Sequence, residues 1–254
     1  MKKCVVIVSG VCVSIAVLCF VFFDYSKKES DAQRLGAVSV FPQLDAYERK
    51  DSLPKEVITE PETSIDSVPY HIRLNVPQSV QETSYYCGCA AAQMVLRYHG
   101  IEISQDDLAK ELHTHPITGT EYADLARVLN HHLFGKEELT AIDPGYHVQT
   151  LAVNDDDSDI ALTFESRVKQ DLASNDPVIV AVDVQALYPE LNRGNHFVVV
   201  IGYRCNEQSE RIAVYDILDP SYVVQDAVYG GWKTVPADEM MQAIVSNVEP
   251  AYIW

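Results

Sequence analysis

Gln81-Glu82-Thr83-Ser84-Tyr85-Tyr86-Cys87-Gly88-Cys89-Ala90-Ala91-Ala92-Gln93-Met94-Val95-Leu96-Arg97-Tyr98-His99-Gly100 is the stretch on which the reading turns. A glutamine stands six residues before a cysteine, and that cysteine opens an apolar, alanine-rich run that predicts a helix over 87–99, closed by Gly100. A thiol at a helix N-terminus is easier to ionise, and an upstream side-chain amide can help to bind an oxyanion. A cysteine that merely fills a core needs neither feature, although small buried residues are the usual fate of free cysteines. Cys87 is therefore a candidate nucleophile, provided that the rest of the chain supplies a base and an acid.

The base candidate is His196, in Gly194-Asn195-His196-Phe197-Val198, where a turn leads directly into an apolar strand. That placement sets the ring at the rim of a sheet. Asp219, in Leu218-Asp219-Pro220, ends the next strand, and antiparallel pairing would bring it beside the histidine to orient the imidazole. Asp216 is the alternative, but strand alternation points it to the other face. Gln81 is the oxyanion candidate together with the Cys87 backbone N–H, with Gln78 as its alternative. His113, His115, His131 and His132 fall in or beside surface helices with no known metal-ligand spacing, so neither a metal nor another cofactor is expected. The acidic run 154–159 resembles a calcium loop but lacks its turn glycine.

Outward from this core of candidates, helices are predicted over 104–112, 120–132 and 165–173, with Ser104 and Thr120 as caps. Strands are predicted over 71–76, 178–184, 196–203, 211–218 and 251–254. The uninterrupted apolar run Phe197–Ile201 reads as a central strand covered on both faces. A helical first half packed on a strand-rich second half is an α+β architecture.

These motifs resemble those of the C39-like cysteine peptidases: Gln81, then Tyr86-Cys87-Gly88-Cys89-Ala90, then Gly194 to Tyr203, then Asp219-Pro220. The resemblance covers roughly residues 68–254. It implies a papain-like fold, a peptide or protein substrate, Cys87 as nucleophile, His196 as base and acid, Asp219 as the orienting residue and Gln81 in the oxyanion hole. It departs from the family at Cys89, where proline usually follows the Cys-Gly pair. Cys89 is expected to be structural, with a disulfide to Cys205 as the hypothesis for it. Tyr85, Tyr86, Tyr188 and Trp232 are expected in the pocket walls.

The flanking sequence sets the context. Residues 1–23 carry Met1-Lys2-Lys3 and then an apolar run long enough to span a bilayer, with no small-x-small cleavage site at its end. They are expected to be an uncleaved signal anchor that places the remainder outside the cytoplasm, a secreted form after cleavage being the alternative. Residues 24–67 mix charges with Ser, Thr and Pro, without period, and read as a largely disordered tether to a domain over 68–254. The net charge of −18 excludes nucleic-acid binding through a basic patch. Three of the six cysteines (Cys4, Cys12 and Cys19) lie in the apolar segment, which leaves an odd number in the domain and at least one free thiol there. The expected activity is peptide or amide hydrolysis. Papain-like sites also support acyl transfer or non-protein amide hydrolysis, and a non-catalytic binding module would be expected to lose some of the four residues.

Overall fold

The computed structural model describes residues 69–140, 142–154 and 158–254. The expected anchor (1–23), the tether (24–67) and residues 155–157 of the acidic run lie outside the described residues, among which no helix is long and apolar enough to cross a membrane.

The alanine-rich run forms helix α1, Cys87–Tyr98, with every residue from Gly88 to Leu96 buried. It ends where Gly100 donates to the Arg97 carbonyl (3.0 Å) and Ile101 to that of Leu96 (2.9 Å). The second helix, α2 (Gln105–Glu111), is capped by Ser104, whose hydroxyl oxygen accepts from the Asp107 N–H at 3.1 Å. The third, α3 (Tyr122–Phe134), starts later than expected. Thr120 does not cap it; Glu121 holds the N-cap position with no side-chain bond, and Thr120 is buried against Gly88 instead.

Seven strands form one antiparallel sheet in the order β2–β7–β3–β4–β5–β6, with β1 also paired to β4. These are β1 His71–Arg73, β2 Val148–Thr150, β3 Val178–Asp183, β4 Asn195–Cys205, β5 Ile212–Leu218, β6 Trp232–Pro236 and β7 Ala251–Ile253. The eleven residues of β4 make it the spine, paired with β3 and β1 along one edge and β5 along the other. Its stretch from His196 to Tyr203 is buried throughout. Helix α1 packs on β4, and α4 (Ser158–Ala173) also covers it. The α+β arrangement of helices on an antiparallel sheet is thus observed directly.

Helix α4 begins seven residues before the expected start, because its first six residues are not buried and the apolar period is visible only from Phe164. The strands β2 and β6 and the helices α5 (Val184–Leu187) and α6 (Ala237–Val245) were not expected. Strand β1 is shorter than expected, although Leu74 adds one more bond to the Ile201 carbonyl at 2.8 Å.

Candidate active site

Cys87 is the first residue of α1. The N-cap residue, Tyr86, makes no side-chain cap bond, and the first turn holds no acid. The positive end of the helix is therefore not neutralised by its own sequence and is open to a thiolate. Gly88 is required here by packing, since a Cβ on it would lie 2.8 Å from the Thr120 hydroxyl and 2.9 Å from the Thr120 Cβ. Thr120 shares a hydrogen bond with Thr114 (2.7 Å), and Thr114 contacts the Cys89 sulfur at 3.3 Å. Cys89 is fully buried and burial pushes its thiol up, so it belongs to the packing beneath the turn and not to the chemistry above it. The expected Cys89–Cys205 disulfide is not formed: Cys87, Cys89 and Cys205 are all free. Cys89 is turned to Thr114, while Cys205 closes β4 near Lys169 and Glu165.

His196 is the second residue of β4, opposite Val182 of β3, and is buried. The turn before it is held from two sides. Asp183 accepts from the Gly194 N–H (3.3 Å) and from Arg193 Nε (2.7 Å). On the other side Asn195 donates to the Tyr122 hydroxyl (3.2 Å) and accepts from Asn247 Nδ2 (2.9 Å). The Tyr122 ring meets Phe197 edge to face, with centroids 5.5 Å apart. None of Tyr122, Asp183, Asn195 and Asn247 was singled out in the sequence, because their role rests on contacts between distant segments.

Asp219 directly follows β5 and has no exposed surface. Its Oδ1 lies 2.7 Å from His196 Nε2 and accepts from the Ser221 N–H at 2.8 Å. The loop closes as Asp219 N–H donates to the Gly231 carbonyl at 2.8 Å, and a Cβ on Gly231 would overlap the Asp219 carbonyl oxygen at 2.0 Å. Only glycine fits that approach. The second carboxylate oxygen, Oδ2, is buried with no hydrogen-bond partner, and the phenol of Tyr188 faces this carboxylate. Tyr188 is held by Lys233, whose ammonium lies 4.0 Å from its ring centroid and donates to the Leu187 carbonyl. Asp216, the alternative acid, accepts instead from the Thr234 hydroxyl (2.6 Å) and does not meet the histidine.

Since Asp219 takes Nε2, the nitrogen left for the thiol is Nδ1. Burial pushes the Cys87 thiol up, but the hydrogen bond and charge of His196, with the backbone N–H groups of Phe197 and Gly88, bring it below the usual thiol range. Burial pushes His196 down, and the Asp219 carboxylate, reinforced by Cys87, carries it above the usual imidazole range. Both shifts favour a thiolate beside an imidazolium.

Gln81 is buried, and its N–H donates to the Pro220 carbonyl at 2.8 Å, which ties it to the residue after Asp219. One proton of its amide nitrogen goes to the Thr83 carbonyl (2.8 Å), leaving the other free; its Oε1 is buried without a partner. Gln78 is committed elsewhere, bonded to Gln225 and packed against Gly230 and Gly231. Of the expected pocket-wall residues, Tyr188 faces Asp219, whereas Tyr86 is buried and donates to Asp106 Oδ1 at 3.1 Å. Tyr85 packs edge-on against Tyr86 (5.0 Å between centroids), and Trp232 lies under the Arg73 guanidinium at 4.9 Å.

The sequence model of the Peptidase_C39 like family matches residues 73–242. No curated protein sequence matches the chain. Solved structures to which the chain shows similarity include a double glycine motif protease from an AMS/PCAT transporter in complex with the leader peptide. It is 14% identical with a TM-score of 0.42, over 71% of this chain and 91% of that one. The peptidase domain of Streptococcus ComA is 15% identical with a TM-score of 0.42, over 73% of this chain and 97% of that one. Bromelain from Ananas comosus is 14% identical with a TM-score of 0.45, over 72% and 97%.

Proposed function

The chain belongs to the Peptidase_C39 like family, and we propose that it is a working cysteine peptidase that cleaves a peptide or amide bond through Cys87, His196 and Asp219. The observation that carries this reading is the buried 2.7 Å contact of His196 with Asp219, on a histidine that lowers the thiol at the start of α1. The Cys87 thiolate attacks the substrate carbonyl carbon, and the carbonyl π electrons move to oxygen. The backbone N–H of Cys87 and the free amide proton of Gln81 are the donors for that oxyanion. Collapse expels the amine, which takes the proton from His196 and leaves a thioester on Cys87. His196, now neutral, removes a proton from water as the water attacks the thioester; collapse returns the thiolate and releases the acid. Asp219 holds the ring with Nδ1 towards sulfur and stabilises the imidazolium.

The substrate class follows from the family and the free oxyanion donors: a peptide or protein chain whose scissile carbonyl can reach the N-terminus of α1. We further assign the chain to the cell membrane, anchored by residues 1–23 with this domain outside the cytoplasm. That assignment rests on the length of the apolar run and the lysines before it.

An epoxide-type thiol inhibitor tests the chemistry. Covalent labelling should map to Cys87 and drop strongly in His196→Ala. Labelling of Cys87 no faster than a free model thiol would refute an activated nucleophile. Proteolysis of intact cells that spares the domain would refute the location alone.

A further inference from the structure

The cleft about 480 Å³ in volume, lined in part by His71, Arg73, Arg204, Asp216, Trp232 and Thr234, includes neither Cys87, His196 nor Gln81. It lies where β1 runs beside the far end of β4, with His71 directly opposite Arg204. Its charge is out of keeping with the rest of the molecule. On a chain of net charge −18, carboxylates are in surplus and most cations find one. Among the described residues Arg97, Arg127, Arg193, Arg211, Lys110, Lys136 and Lys169 are all ion-paired. Arg167 donates to Gln149 and Tyr252, and Lys233 to a backbone carbonyl. Arg73 and Arg204 alone make neither a hydrogen bond nor an ion pair among the described residues, and both face this one cleft.

A second, independent observation points the same way. The indole Nε1–H of Trp232 is buried with no acceptor, and Trp232 lines the cleft. An unsatisfied buried donor is costly, and its neighbours do not relieve it. Arg73 lies over the Trp232 ring at 4.9 Å. A cation–π contact of this kind uses none of the guanidinium N–H donors, so the Arg73 fork is placed without being consumed. Asp216 does not neutralise the pair, since it forms an ion pair with neither arginine and accepts from Thr234. Two unpaired forks and an orphan indole N–H around one cleft are donors that lack a common acceptor.

We propose that this cleft binds a phosphate group, held by Arg73 and Arg204 beside the Trp232 indole. A tetrahedral phosphate offers enough oxygens to accept from two forks together, in the bidentate geometry that arginine favours. The phosphate belongs either to a small soluble ester or to a lipid headgroup, and the two sources present the same oxygens. The site is separate from the hydrolytic one and stands whether or not Cys87 is catalytic.

The test is calorimetric titration of inorganic phosphate into the full chain in an uncharged detergent, beside flotation with phosphatidylglycerol and phosphatidylcholine vesicles. Arg204→Gln and Arg73→Gln should each weaken binding about tenfold or more. Arg204→Lys should fall between, keeping charge but losing the fork. Lys136→Gln, an exposed cation elsewhere, should change nothing, and thermal melts of all variants should match the parent. Arginine-dependent binding to phosphate but not to vesicles assigns a soluble ligand. Arginine-dependent flotation with phosphatidylglycerol that exceeds flotation with phosphatidylcholine assigns a headgroup. Absence of saturable binding in both arms, binding unchanged in the glutamine variants, or equal affinity for acetate would overturn the proposal.

Discussion

Two regions of this domain withdraw carboxylates from water, one fully and one by half, and they resolve the resulting charge in opposite ways. At the site, Asp219 is fully buried but faces His196, which in turn faces Cys87, so the signs alternate and each charge supports the next. On α4 and just beyond its end, Asp171 lies near Asp176, and the signs match. Burial first and Asp176 second push the Asp171 carboxyl up to about 7, against a weaker opposing pull from Arg167. Its Oδ2 is buried with no hydrogen bond. Burial raises Asp176 as well, with His99 at 3.4 Å working against it. The comparison teaches that burial alone suppresses charge here; an ionised buried site needs partners of alternating sign.

The largest break in that pattern is His196→Ala. It removes the middle charge, leaving Cys87 without the group that lowers it and Asp219 buried without its cationic partner, held only by the Ser221 N–H. Turnover should fall by about 10²–10⁴-fold, the range for loss of a positioned acid–base. The iodoacetamide reactivity of Cys87 at neutral pH should fall with it. Turnover that is unchanged would mean that another group handles the proton.

Asp219→Asn is subtler and separates charge from orientation. Asparagine Oδ1 can still accept from Nε2, but the anion that raises His196 is gone. The raised His196 pKa confines the imidazolium's contribution to stability to pH below its folded value: it is fully present below about 6.5, the unfolded pKa, and is lost as pH climbs through the raised one. The alkaline limb of the activity profile should therefore move to lower pH in Asp219→Asn. A limb that stays in place would show that Asp219 orients the ring without setting its charge.

The alternating region was more legible in the sequence than its surroundings. The unbroken apolar run of β4 and the turn before it exposed His196, and the position of Asp219 one residue past β5 followed from antiparallel pairing. Thr120 carried a correct local signal with the wrong use, because a helix-cap residue also fits against a glycine one helix away. Strand β6 was hidden because only Val235 within it is fully buried, so its alternation is faint. Helix α6 had a readable pattern in Met240, Ala243 and Ile244, with Asp238 and Glu239 in its first turn, but only nine residues to show it. The pairing of Tyr188 with Asp219 joins segments 31 positions apart and leaves no local trace.

The like-charge region gives the next effect. A carboxyl raised by burial favours the protonated form in the fold, so its penalty is absent near pH 4 and grows as pH rises to about 7. Asp171→Asn removes that penalty while nearly keeping the shape. Its melting temperature should exceed that of the parent at pH 8, by roughly 2–4 °C per kcal/mol relieved, and match it at pH 4. Equal melting at both pH values would remove the contrast between the two regions.

Tyr188→Phe should give the smallest effect and the sharpest localisation. The ring stays, so the Lys233 contact at 4.0 Å is retained and only the hydroxyl facing Asp219 is lost. Asp219 Oδ2 is already without a bond in the resting site, so the hydroxyl matters most when the imidazolium gains and loses its proton and the carboxylate must stay charged. The expected loss in kcat/KM is about tenfold or less, with the alkaline limb shifted in the same direction as in Asp219→Asn. A double-mutant cycle decides whether the hydroxyl acts through the carboxylate. If it does, Tyr188→Phe costs nothing further once Asp219 is asparagine; if the two losses add, Tyr188 serves the substrate pocket instead, and the alternating chain ends at Asp219.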